Sequence, residues 1–153
     1  MTDKIYLYCD GGCRGNSEKV NIGGWGVLLE YRDYKKELCG GDKNTTNNKM
    51  ELTSAIEGLK AIKNRKLPVE VIMDSQYVVK GITEWIYNWI KNNWKSSQKK
   101  PVENKELWIE LFNLKKQFAN IKFLYVRGHS GHYGNERADQ LANIAMDKIK
   151  KNN

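Results

Sequence analysis

The chain has little that would tie it to a membrane, a secretory route or a structural metal. None of its apolar runs approaches the ~20 residues needed to span a bilayer. The opening Met1-Thr2-Asp3-Lys4 is too polar for a signal peptide. Cysteine is scarce and odd in number: Cys9, Cys13 and Cys39 lack zinc-ligand spacing and make no disulfide framework. The pair Cys9-x3-Cys13 has no second Cys or His pair to complete a metal site. Prolines number only 2, Pro68 and Pro101, and no repeat, low-complexity linker or second domain is visible. A convincing Ser/His/Asp arrangement is also missing. These absences predict a soluble, cytoplasmic, single-domain protein over 1–153 that makes no membrane contact.

What is present is a surplus of positive charge. Lys and Arg total 26 against 18 Asp and Glu, a formal charge of +8 in 153 residues. Hydrophobic residues at 40% and aromatics at 10% exclude intrinsic disorder. A chain of this length buries roughly 68–70% of its unfolded surface and folds without staples. Surplus cations favour a polyanionic partner, nucleic acid above all. The plainer alternative is solubility with a bias toward Lys and Asn.

Three β-rich segments, 4–10, 23–31 and 35–40, predict an antiparallel meander, the first strand ending at Asp10 before a Gly11-Gly12 turn. Leu52, Ala55, Ile56, Leu59 and Ile62 have helical spacing over 48–63. Pro68 introduces a strand ending at Asp74, and a helix follows from Ser75 until Gly81 breaks it. Residues 83–95 read as helix, 95–101 as a basic connector, 103–118 as helix, 121–126 as strand, and the last helix starts at Asn135. The order is β-β-β-α-β-α-α-α-β-α, a mixed α/β domain. A helical crossover makes the first and fourth strands parallel neighbours. Asp10 and Asp74 then stand side by side at the carboxyl edge, where ligands of open α/β sheets bind.

Four acids stand out, and each has an ordinary explanation. Asp10 suits an Asx-turn, Glu51 the reciprocal position of a capping box begun by Asn48, Asp74 an N-cap, and Asp139 the start of a helix dipole. Two carboxylates at adjacent strand ends nevertheless repel unless a cation lies between them. Hard divalent ions such as Mg²⁺ take oxygen ligands, and a pair of them suits phosphodiester hydrolysis. Glu51 and Asp139 cannot be brought to that pair from the residues alone.

Four ordered motifs go further. Tyr8-Cys-Asp-Gly-Gly-Cys-Arg-Gly-Asn16, Thr45-Thr-Asn-Asn-Lys-Met-Glu-Leu52, Met73-Asp-Ser-Gln-Tyr-Val78 and Val126-Arg-Gly-His-Ser-Gly-His132, followed by Asn135-Glu-Arg-Ala-Asp139, resemble type 1 ribonuclease H from about residue 4 to 146. Gly81-Ile-Thr-Glu-Trp-Ile-Tyr-Asn-Trp89 and Lys99-Lys-Pro-Val-Glu-Asn-Lys-Glu-Leu-Trp108 resemble the basic protrusion of the bacterial members, at about 83–102. The resemblance implies a ribonuclease H-like α/β fold: a five-stranded mixed sheet, three strands antiparallel and two parallel, flanked by helices. It implies a monomeric endonuclease that hydrolyses the RNA strand of an RNA–DNA hybrid, leaving 5′-phosphate and 3′-hydroxyl ends. Asp10, Glu51, Asp74 and Asp139 would hold two Mg²⁺ ions, with Mn²⁺ as a substitute. His129 matches the histidine that assists proton transfer or product release, whereas His132 is read as structural.

The resemblance also supplies a substrate surface. Asn16, Asn48 and Gln76 would contact the RNA strand or bases in the minor groove, where the 2′-hydroxyl is read. Asn47 belongs to the same surface, and Gly11, Gly12 and Cys13 would admit the backbone. Thr46, Asn16 and Lys49 would hold a DNA phosphate, Lys49 replacing the Arg of many relatives and giving up its bidentate fork. Lys95, Lys99 and Lys100 would meet phosphates, Trp85 the substrate, and Trp89 and Trp94 would pack between helices. One departure is the loop Ser17-Glu-Lys-Val-Asn-Ile22, longer and less rich in Gly and Pro than in bacterial relatives. The rival reading, a duplex-binding module that does not cut, predicts binding without cleavage.

Overall fold

The computed structural model describes residues 3–15, 21–128 and 131–151. Strands β1 (Ile5–Arg14), β2 (Ile22–Tyr31) and β3 (Tyr34–Lys43) form the meander, and β4 (Val69–Met73) and β5 (Ile121–Tyr125) complete a sheet ordered β3-β2-β1-β4-β5. The first three strands are antiparallel, while β1 pairs parallel with β4 and β4 with β5. The parallel ladder ends at Cys9 opposite Met73, so Asp10 and Asp74 are the next residues on neighbouring strands. The expected adjacency holds.

Helix α1 (Asn47–Lys60) covers one face, with Leu52, Ala55, Ile56 and Leu59 buried against Leu7, Val27 and Val71. Helix α5 (Tyr133–Lys151) crosses the opposite face over β2 and β3 and is tied to β3 by Arg137, whose Nη2 donates to Glu37 Oε1 at 2.9 Å. Between β4 and β5 run α2 (Gln76–Lys80), a π-helical turn (Gly81–Trp85), α3 (Ile86–Lys91) and α4 (Lys105–Lys115). No helix of the described residues is long and apolar enough to cross a membrane.

Several local expectations are corrected. Gly11 and Gly12 are not a turn; they lie inside β1, opposite Trp25 and Gly24. Gly11 is there for close approach: a Cβ on it would stand 2.4 Å from the Met50 carbonyl carbon. Gly81 does not break its helix, because it widens one turn into a π-helix while lying under the Trp108 ring, 2.1 Å from where a Cβ would be. The helix read over 83–95 stops at Lys91, since Asn93 and Trp94 adopt left-handed φ values of 54° and 61°. β1 and β3 run several residues past their expected ends, and α4 is shorter than 103–118.

Candidate active site

Each acid reaches the sheet edge by a different route. Asp10 sits in β1 and is 6% exposed. Asp74 follows the last residue of β4. Glu51 comes from the second turn of α1, which Gly11 allows to lie against β1. Oxygens of Asp10, Glu51 and Asp74 all lie within 4.8 Å of one another. Asp139, from the second turn of α5, stands outside that trio, near enough for its charge to push the Glu51 carboxyl up.

The ordinary explanations for two of these acids do not hold. The N-cap of α1 is Thr46, whose Oγ1 accepts from Lys49 N–H at 3.1 Å, so Asn48 and Glu51 form no capping box. The N-cap of α2 is Ser75, whose Oγ accepts from Val78 N–H at 3.2 Å. Glu51 and Asp74 are thus free of capping duty. The start of α1 is pinned further by Asn21, which donates to Thr45 O and accepts from Thr45 N–H, both at 2.9 Å.

Crowding leaves an electrostatic signature. Burial, then the charges of Glu51 and Asp74, push the Asp10 carboxyl up to about 10. Burial and Asp74 raise Glu51 to about 8, against a lowering by the Gly11 backbone N–H. Glu51 Oε1 is sealed from solvent with no hydrogen-bond partner among the described residues. Buried oxygens are normally paired, and an unpaired carboxylate oxygen is costly. An all-oxygen donor set that repels itself and leaves one atom orphaned fits a hard divalent cation.

Around the cluster, Thr46, Asn47, Asn48 and Lys49 are exposed on the first turn of α1, and Gln76 is exposed at the start of α2. The Thr46 hydroxyl accepts its capping bond and keeps its own proton to donate. Cys13 is half-buried on β1, and its thiol, like those of Cys9 and Cys39, is free. Trp85 is 37% exposed, whereas Trp89 and Trp94 are partly buried against the core, the packing expected of those two. Lys95, Lys99 and Lys100 are exposed on a tight hairpin in which Lys95 bridges Pro101 and Ser96 N–H donates to Lys100 O at 2.7 Å. Asn16 and His129 lie outside the described residues, as does most of the 17–22 loop. Asn135 was given no role from the sequence. It lies one turn before Asp139, buried, with Oδ1 unpartnered among the described residues. Only its place in the Asn135–Asp139 motif marked it.

A meander joined to two parallel strands, with acids from both and from flanking helices at one edge, defines the ribonuclease H-like class of fold. A family model described as RNase H matches residues 2–147. Ribonuclease H of Pseudomonas savastanoi pv. phaseolicola is 51% identical over 150 residues, 98% of this chain and 97% of that protein. Ribonuclease HI of Pseudomonas syringae pv. tomato has the same identity and coverage. Among solved structures, LC9-RNase H1, a type 1 RNase H with the type 2 active-site motif, matches with a TM-score of 0.84 at 35% identity, over 97% of this chain and 74% of that one. LC11-RNase H1, solved in complex with RNA/DNA hybrid, matches with a TM-score of 0.70 at 27% identity, over 95% and 98%. The chain belongs to the type 1 bacterial ribonuclease H family, hydrolases that cleave the RNA strand of RNA–DNA hybrids.

Proposed function

We propose that the chain acts as a single-domain, monomeric, cytoplasmic endonuclease that cuts RNA in RNA–DNA hybrids through two divalent metal ions, leaving 5′-phosphate and 3′-hydroxyl ends. The observation that carries the reading is the Asp10–Glu51–Asp74 cluster, with oxygens within 4.8 Å and Glu51 Oε1 buried and unpartnered. Asp10, Glu51, Asp74 and Asp139 would hold the ions, Mg²⁺ first and Mn²⁺ as a substitute. When bound, these ions supply activation of the attacking water and stabilisation of the leaving oxygen.

The remaining work falls to the chain's own groups. Asp10, within β1, anchors the cluster in the sheet. Thr46 and Lys49 hold a DNA-strand phosphate near the start of α1, together with Asn16. Asn47, Asn48, Gln76 and Cys13 line the groove where 2′-hydroxyls are met, and His129 moves a proton or helps product leave. Trp85 and the lysines of the protrusion grip the duplex backbone. That LC11-RNase H1 was solved with an RNA/DNA hybrid supports the same substrate here.

The test is a gel assay of end-labelled RNA paired with DNA, beside RNA–RNA, single-stranded RNA and DNA–DNA. Cleavage restricted to the hybrid, dependent on Mg²⁺ and abolished by chelator or by Asp10→Asn, is the expected result. Metal-independent cutting by purified protein would overturn the two-metal reading, and binding without cutting would restore the rival module.

A further inference from the structure

Between the carboxylates and the lysine-bearing protrusion lies one side chain that touches the protrusion at both its ends. Tyr77 is on α2, three residues after Asp74. Its hydroxyl accepts from two donors, Asn104 Nδ2 at 3.2 Å and Trp108 Nε1 at 3.2 Å. Asn104 is the residue at which the protrusion returns into α4, in a left-handed conformation with φ 60°. The Tyr77 ring also stands edge-on to Trp85, 6.2 Å between centroids, where the protrusion departs. The ring is also tilted against buried Trp108 at 5.2 Å, and the aromatic series continues from Trp108 to Trp89 at 5.2 Å and from Trp89 to Trp94 at 6.2 Å.

The two kinds of contact do different things. Aromatic pairs are favourable over a span of centroid separations, about 4.5–7 Å, and in more than one arrangement. Hydrogen bonds are directional and weaken steeply off line. The packed rings therefore keep the protrusion attached, while the Tyr77 oxygen selects its angle. Trp108 is fully buried, so its indole N–H has no water to turn to if that oxygen is lost. The relaxation open to it is a rotation of the ring, which would carry Trp89 and the hairpin beyond it.

We propose that Tyr77 is a positioning residue, its hydroxyl fixing the angle of the protrusion relative to the carboxylate cluster so that Lys95, Lys99 and Lys100 meet the duplex while a phosphate lies at Asp10, Glu51 and Asp74. The proposal rests on the hybrid-cleaving reading above. Tyr77 acts through the lysines and touches neither metal nor substrate.

The experiment compares wild type, Tyr77→Phe, Asn104→Gly and the triple variant Lys95→Ala/Lys99→Ala/Lys100→Ala, alone and combined with Tyr77→Phe. Binding of a labelled RNA–DNA hybrid is measured in chelator across a salt series, then kcat and KM with Mg²⁺. Tyr77→Phe should weaken binding and raise KM by about five- to tenfold, the scale of two neutral hydrogen bonds, with kcat retained. Its salt slope should flatten by roughly one phosphate contact. Asn104→Gly keeps the left-handed backbone, removes one donor and should lose about two- to threefold, serving also if Tyr77→Phe folds poorly. On the triple-lysine background, Tyr77→Phe should change affinity by less than about twofold, because the groups it positions are gone. A full additive loss on that background, or a fall in kcat at unchanged KM, would overturn the proposal. Wild type that binds hybrid without cutting it would sink the cleavage reading, while the binding arms would still decide the role of Tyr77.

Discussion

Gly11 on β1 lies so close to α1 that a methyl group on it would stand 2.6 Å from the backbone nitrogen of Glu51. The contact is backbone to backbone, so no side-chain rotation can relieve it. Gly11→Ala must push α1 outward and carry Glu51 away from Asp10 and Asp74. Activity should fall on the order of 100-fold, as misplacement of a catalytic group by about 1 Å does. Stability should drop by roughly 1–3 kcal/mol from overpacking. Hybrid cleavage and thermal unfolding measured together check both, and wild-type activity in the alanine variant would refute the contact.

Ser75 and Asp74 are adjacent in sequence and opposite in duty, which makes them separable. Ser75→Ala removes the cap on Val78 N–H and should cost about 1 kcal/mol of stability. Its cleavage rate should fall only modestly. Asp74→Asn should leave the unfolding temperature near or above wild type and abolish cleavage. The reverse pattern would make Asp74 a capping residue.

The cluster predicts how the metal-free protein responds to pH. Asp10 and Glu51 are held above their ordinary values of 3.8 and 4.5, at about 10 and about 8. The folded state therefore keeps protons that the unfolded chain has released. Stability in chelator should fall as pH rises from about 4 through the range of those folded values. Asp10→Asn should raise stability in chelator at about pH 8 by roughly 1–3 kcal/mol, and change little at about pH 4. Mg²⁺ should stabilise wild type most at the alkaline end. A melting temperature in chelator that climbs with pH would contradict this.

Lys95, Lys99 and Lys100 are exposed on one short hairpin, and their joint removal should weaken hybrid binding. The slope of log affinity against log salt should lessen by roughly two to three, near 0.9 for each lost phosphate contact on a duplex. Titration of labelled hybrid at several salt concentrations measures it. An unchanged slope would take the hairpin off the binding surface.

The antiparallel meander and the adjacency of Asp10 and Asp74 were legible in the sequence because strand patterning and a helical crossover leave few alternatives, whereas the place of β5 beside β4 was not read there. Glu51 and Asp139 were not reachable that way, since their approach depends on how tightly two helices lie on opposite faces. Gly11-Gly12 reads locally as a turn, and only the passage of α1 overhead explains glycine inside a strand. Gly81 misleads for the same reason: its neighbour, Trp108, is 27 positions away in the chain. The caps were misassigned by one or two residues, to Asn48 and Asp74 rather than Thr46 and Ser75, because Ser, Thr, Asn and Asp compete for that position on similar chemistry. The four-motif resemblance supplied what periodicity could not.

The left-handed residues Asn93, Trp94, Lys99 and Asn104 give the protrusion a backbone that ordinary side chains adopt reluctantly. Trp94 is held there by its N–H to Trp89 O at 2.6 Å and by Val102 N–H to its own carbonyl at 3.0 Å. A loop wound this way is shaped before any duplex arrives. If the protrusion grips a duplex as proposed, its lysines forfeit little backbone freedom on binding, the loop being a preformed cast rather than a tether that must first be ordered.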